Sequence, residues 1–174
     1  MCKSLLYYID YCFGKIKKKS KPLFLSILLF SFISPSPVFA ESIIEISPLD
    51  FGTIAIKDNS AAYTLRVRYT GQIINDPEII IIAPGSPAEY FISDLPVSTL
   101  LTISITSPSG ITTSPAVAPT NEQFTISNFD YLPSVTSDAT GEYTLFVGAT
   151  ITTSGVGTYQ DTFYVTTMTL NISY

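Results

Sequence analysis

Two short groups of oxygen donors are the first places in this sequence where chemistry could reside. Asp58, Asn59 and Ser60 stand side by side, and Asp138 and Glu142 flank the stretch "DATGE". Closely spaced oxygen ligands suit a hard cation, and calcium is the one metal this composition would tolerate. Neither group follows the D-x-[DN]-x-[DN]-G loop, and Asp beside Asn, Ser or Gly is ordinary β-turn chemistry. The turn reading is preferred, so no metal and no cofactor is expected. Catalysis is restricted further, because the chain has no histidine and its two cysteines, Cys2 and Cys12, lie at the extreme N-terminus. Beyond them no Ser-His-Asp triad, Cys-His pair, or histidine or thiolate zinc site can be assembled. "GSP" at Gly85 to Pro87 lacks the G-x-S-x-G frame, and no glycine-rich phosphate loop precedes a helix. A glycosidase needs two carboxylates across a cleft lined with sugar-stacking rings. Here there is no tryptophan and the acids are scattered over turns. No catalytic residue is assigned, and the chain is expected not to be an enzyme.

Two further features invite a functional reading and have simpler ones. Arg66 and Arg68, in "AYTLRVRY", could clamp an anionic ligand. They also alternate with Tyr63, Leu65, Val67 and Tyr69, as the solvent face of a half-buried strand would, and that second reading is preferred. Asn171 to Ser173, "NIS", fits a glycosylation acceptor, but on a terminal strand it is read as chance.

The elements that carry these residues begin after a leader. Residues 1 to 22 hold Lys3, Lys15, Lys17, Lys18, Lys19 and Lys21, and they lead into the apolar run "LFLSILLFSFI", Leu23 to Ile33. As a helix rising about 1.5 Å per residue this run is roughly half as long as a hydrocarbon core is thick, and Ser34 and Pro35 then interrupt it. It therefore reads as the apolar core of a signal peptide. Small residues at Val38 and Ala40 place cleavage between Ala40 and Glu41, with no stable membrane span afterwards. An uncleaved signal anchor is the alternative. The remaining stretch, 41 to 174, is expected to be one domain.

Its charges are Lys57, Arg66 and Arg68 against thirteen carboxylates, the chain's fourteen less Asp10, for a formal charge of −10. Such a surface repels nucleic acid and anionic headgroups and favours solubility. With both cysteines in the leader, core packing rather than disulfides must hold the domain together.

Thr, Ser, Ile, Val, Tyr and Phe dominate this stretch, no window sustains a 3.6-residue period, and prolines punctuate it throughout. Short strands are expected near 42–47, 52–57, 62–69, 78–83, 88–93, 99–107, 122–128, 141–152, 158–166 and 168–174. The fold class is all-β, an antiparallel sandwich. The continuous run Ile79 to Ile82 predicts a strand covered on both faces or a hidden edge. Asp76, Pro77, Glu78 and Pro84 flank it as gatekeepers against aggregation. Gly148 interrupts "EYTLFVGATIT" and predicts a bulge or a close backbone approach, with Tyr143, Leu145 and Val147 on one face. At the end of the chain, Val165, Leu170 and Ile172 are expected in the core.

Taken in order, "LDFGTI", "PGSPAEYFISDLPVSTLLTISI", "FTISNF", "TSDATGEYTLFVGATIT" and "GTYQDTFYVT" resemble the DUF4402 family of bacterial exported proteins. The resemblance implies an immunoglobulin-like β-sandwich related to pilin and spore-coat-U-type subunits, without a catalytic site. The chain departs from the pattern at "YVTTM", Tyr164 to Met168, which lengthens the last strand or breaks it with a bulge.

The function expected from this is that of an exported structural or surface subunit, pilin-like or coat-like, in the periplasm or at the bacterial cell surface. Its partners would be other copies of itself or surface proteins. "ESIIEISPLDFG" could be a strand donated to a neighbour, but it serves equally as the domain's own first strand, and that reading is preferred. The alternative function is an adhesin-type module recognising sugar or protein through its loops, with 107–121 the best candidate.

Overall fold

A computed structural model describes residues 41–113 and 122–174. The leader up to Ala40 lies outside the described residues, as do residues 114–121 of the candidate loop. Glu41 is exposed and leads directly into the first strand.

Alternation and β-branched composition give strands wherever they persist, and eleven form among the described residues, all in antiparallel pairs. They are β1 (Ser42–Ser47), β2 (Asp50–Ile56), β3 (Thr64–Val67), β4 (Ile73–Asn75), β5 (Ile79–Ser86), β6 (Ala88–Ser93), β7 (Leu100–Thr106), β8 (Thr125–Asp130), β9 (Ser134–Thr136), β10 (Tyr143–Thr152) and β11 (Thr169–Ser173). One sheet runs β1-β6-β10-β3-β4 with β8 also on β10; the others are β11-β7-β9 and β2-β5. The protein is an antiparallel, immunoglobulin-like β-sandwich, as expected.

The longest strand organises the rest. Tyr143 to Val147 of β10 pair with β6, whereas Ala149 to Thr152 pair with β3 and, on the other edge, with β8. Gly148 is the joint between these halves. The β10–β8 register shifts there, and a Cβ at Gly148 would stand 2.1 Å from the Val67 carbonyl oxygen, so only glycine lets the backbones meet.

The core divides in the same way. Ala88, Ile92, Leu145 and Val147 pack with Leu101, Ile103, Ile105 and Val135 of the β11-β7-β9 sheet, and Leu170 and Ile172 lean on them. Beyond Gly148, Leu65, Ala149, Ile151 and Ile126 pack with Ile79 of β5 and with Phe124, supported by Ile54, Ile56 and Ile81. Leu49 and Phe129 touch both clusters. Each such buried Leu or Ile contributes about 1.5–3 kcal/mol of transfer free energy.

One long ribbon joins the two parts. The β1–β6 ladder runs from Ser42 opposite Ser93 to Ser47 opposite Glu89, and the β2–β5 ladder continues it from Asp50 opposite Ser86 to Ile56 opposite Ile79. At the crossing Gly52 (φ 80°) lies against Pro84 and Gly85 against Asp50, each so close that a Cβ would clash with the opposing backbone.

Several expectations need correction. Residues 158–166 are not a strand; their one ladder contact is the isolated bridge between Val165 and Thr113. Val165 is 54% exposed rather than in the core, because its neighbour Tyr164 takes the inward position. The 79–82 run is covered on one face only: Ile79 and Ile81 pack inward while Ile82 is 66% exposed. Two three-residue strands, β4 and β9, were not expected because each is shorter than the alternation needed to signal it.

Candidate functional site

The structure resolves the two oxygen clusters into turns. Asp58 accepts from the Ser60 amide at 3.0 Å and from its hydroxyl at 2.6 Å, and these bonds, the hydroxyl first, hold its carboxyl below the usual range. Asp138 Oδ1 accepts from the amides of Thr140 and Glu142 and from the Thr140 hydroxyl, at 2.7–2.9 Å. Its carboxyl is likewise lowered, chiefly by the Glu142 amide. Carboxylates already committed to turn amides are the ordinary fate of Asp in such turns. Among the described residues no group of three or more His, Cys, Asp or Glu side chains could hold a metal ion.

Asn59 does something else. Its Oδ1 accepts from the Gly155 amide at 3.1 Å, while Nδ2 donates to Ser154 Oγ at 3.1 Å and to the carbonyls of Val156 and Gly157. One amide side chain thus ties the turn before β3 to the loop after β10. Asn171 sits within β11 opposite Ser104, as a strand residue.

Arg66 and Arg68 are not a simple solvated face. Arg66 Nη2 donates to Asp130 Oδ1 at 2.9 Å, and Arg68 Nε to Oδ2 at 3.4 Å, while the Tyr69 amide donates to the same Oδ2 at 3.2 Å. The Asp130 side chain is mostly buried, whereas both arginines remain more than a third exposed. This cluster could not be read from sequence, since Asp130 lies more than sixty residues from its partners. Two guanidinium groups thus share one carboxylate. Beside it, Tyr69, Thr70, Gly71, Pro87 and Phe146 line an open hollow of about 400 Å³.

A second feature missed in the sequence lies in the segment after β10. Tyr159 stacks on Phe124 with ring centroids 4.3 Å apart, and Tyr164 meets Phe124 edge-on at 5.0 Å. The Tyr159 hydroxyl accepts from the Ser154 amide at 2.8 Å and donates to the Gln123 carbonyl at 3.0 Å. Burial raises its pKa above the usual phenol value. These rings, not a strand, close the second core cluster. The aromatic spacing Tyr159 to Tyr164 was the only signal, and it equally suits a strand.

One surface open to a partner is β1. It pairs with β6 and no other strand among the described residues, which leave its outer backbone edge open. Ile43, Ile44 and Ile46 are exposed on it, and no residue of β1 belongs to either core cluster. Tyr90 of β6 supports it with a hydrogen bond from its hydroxyl to Glu45 Oε2 at 3.1 Å.

The fold and this edge define a class: an antiparallel immunoglobulin-like sandwich with an apolar, uncovered first strand. Within that class the chain belongs to the DUF4402 family, a domain of unknown function whose family model matches residues 42–168. No curated protein and no solved structure matches the chain.

Proposed function

We propose that this protein is an exported, non-catalytic structural subunit of the bacterial surface, joined to other copies or to surface proteins through the edge of β1. The observation that supports this reading is the β1 edge itself. Three exposed isoleucines lie on a strand whose outer N–H and C=O groups have no ladder partner among the described residues, the feature that soluble proteins ordinarily blunt with charge or proline. β1 contributes no residue to the two core clusters, so its apolar side chains are free to meet a partner. The absence of histidine, and of cysteine beyond the leader, leaves few catalytic arrangements and favours a structural role.

The test is expression of the full chain with its own leader in a bacterial host. Fractionation and N-terminal sequencing should find it outside the cytoplasm, beginning at Glu41. Sedimentation velocity should show multimers that Ile44→Lys with Ile46→Lys reduces. Recovery in the cytoplasm, or association indifferent to these lysines, contradicts the reading.

A further inference from the structure

Phe163 is the most exposed large apolar residue described, at 86%, on a segment that is otherwise well anchored. Tyr159 and Tyr164 plant their rings on Phe124, and Val165 exchanges both backbone hydrogen bonds with Thr113, at 2.7 and 2.8 Å. Tyr164 packs inward on the second core cluster while its neighbour Phe163 stands out in solvent. The ring is therefore presented by a pinned segment and has little conformational freedom to lose on binding.

The same molecule carries a receptor of matching chemistry. The hollow between Tyr69, Thr70, Gly71, Pro87 and Phe146 is a shallow, open depression of about 400 Å³. It is walled by two aromatic rings and a proline, with Phe146 41% exposed at its side. Charge around it is mixed: Glu89 stands opposite Phe146 in the β10–β6 ladder, and the cations lie on the other side. The Arg66–Asp130–Arg68 cluster adjoins the hollow through Tyr69, and the only other cation after the leader is Lys57. Asp161 is exposed two residues before Phe163, and no Lys or Arg follows it.

We propose that Phe163 of one copy seats in the Tyr69–Phe146 hollow of a second copy, with Asp161 facing the Arg66–Arg68 side. Knob and hollow are different surfaces of one chain, so the contact is heterologous: it leaves a free knob and a free hollow at the ends and extends into rows or rings. It goes beyond the β1 reading, since it uses no residue of that edge.

The experiment is sedimentation velocity on the exported protein, carried out in the Ile44→Lys, Ile46→Lys background so that β1 pairing does not contribute. Phe163→Ser removes the knob, and Thr70→Trp fills the hollow; both sites are exposed, and circular dichroism checks that the fold is retained. The parent should associate with concentration, and each variant should bind itself about tenfold more weakly or not at all. Mixed in equal amounts, the two variants should form a one-to-one dimer, because one retains the knob and the other the hollow. Raising salt from 50 to 500 mM should weaken the parent's association several-fold as the Asp161 attraction is screened. A parent that stays monomeric at about 1 mM, a Phe163→Ser variant that associates undiminished, or a mixture that forms no dimer would each overturn the proposal. A failure of β1 pairing alone leaves these outcomes unchanged.

Discussion

The two halves of β10 are built from the same kinds of residue and are stabilised differently. Between Tyr143 and Val147 burial alternates, with Leu145 and Val147 inward, and the facing strand β7 alternates just as regularly from Leu100 to Thr106. From Gly148 to Ile151 every residue is buried, because β3 covers one edge and β8 the other. The opposing layer differs as well. A three-stranded sheet covers the first half, while the second is closed by the β2–β5 ladder and by the rings of Phe124, Tyr159 and Tyr164. The difference shows that a strand declares its faces in sequence only where one face meets water. Where both edges and both faces are covered, the pattern disappears.

The sharpest way to break the comparison is at its joint. Gly148→Val forces a side chain into the backbone of Val67 to Tyr69, and we expect a loss of at least ~4 kcal/mol or no soluble protein, read as recovered yield and urea midpoint. A Gly148→Val protein with the parental midpoint would show that the halves are not locked there.

Next come cavities on either side. Leu145→Ala and Ile151→Ala should each cost about 3 kcal/mol by urea denaturation. Leu49 and Phe129 bridge the clusters, so both variants should unfold in one transition with the parental slope. Two separated transitions would mean that the halves fold independently.

Smaller and more local is Tyr159→Phe, which strips the Ser154 amide and the Gln123 carbonyl of their partner. A loss of about 1–2 kcal/mol is expected. Hydrogen exchange should quicken in residues 153–165 and stay unchanged in β7; equal acceleration in both would contradict a separate aromatic closure.

In the first half the corresponding probe is Tyr90. Burial first, then the hydrogen bond to Glu45 and its charge, push the Tyr90 phenol up to about 12. The folded state therefore keeps a proton that the unfolded chain releases near pH 10. Stability from this source is complete below pH 10 and declines as pH rises toward 12. Tyr143 and Tyr159, also raised by burial, act in the same direction. Tyr90→Phe should make the alkaline fall in melting temperature shallower, and an identical alkaline limb would count against this account.

The smallest effect belongs to the turn that opens β10. The folded-state carboxyl of Asp138 is lowered, so its contribution is present above the unfolded value near 3.8 and fades as pH falls through the folded one. Asp138→Asn should lower the midpoint slightly at neutral pH and flatten the acid limb so that variant and parent converge below pH 4, as thermal melts at graded pH would show.

Much of the architecture is legible in local patterns of side chains. Alternation in "TLRV" and "LLTISIT" places Leu65, Val67, Leu101, Ile103 and Ile105 inside, and the Asp and Gly of "SDATGE" give the turn, since these signals act between near neighbours. The lone glycine in β10 announces a close approach without naming what approaches. The candidate edge is visible in sequence only as the apolar stretch that begins at Ile43; that among the described residues it pairs with β6 alone emerges from the sheet order.

A strand-built, disulfide-free, acidic domain without histidine chemistry follows from the residues alone, because composition and period-two patterning depend on no distant contact. Which of two adjacent aromatics, Phe163 or Tyr164, faces water is settled only by folding in three dimensions. The same holds for the meeting of Asp130 with Arg66 and Arg68, and for the ribbon that crosses both halves of the core. Those outcomes depend on which chain segments come together over long stretches of sequence, and no local pattern of side chains encodes that meeting.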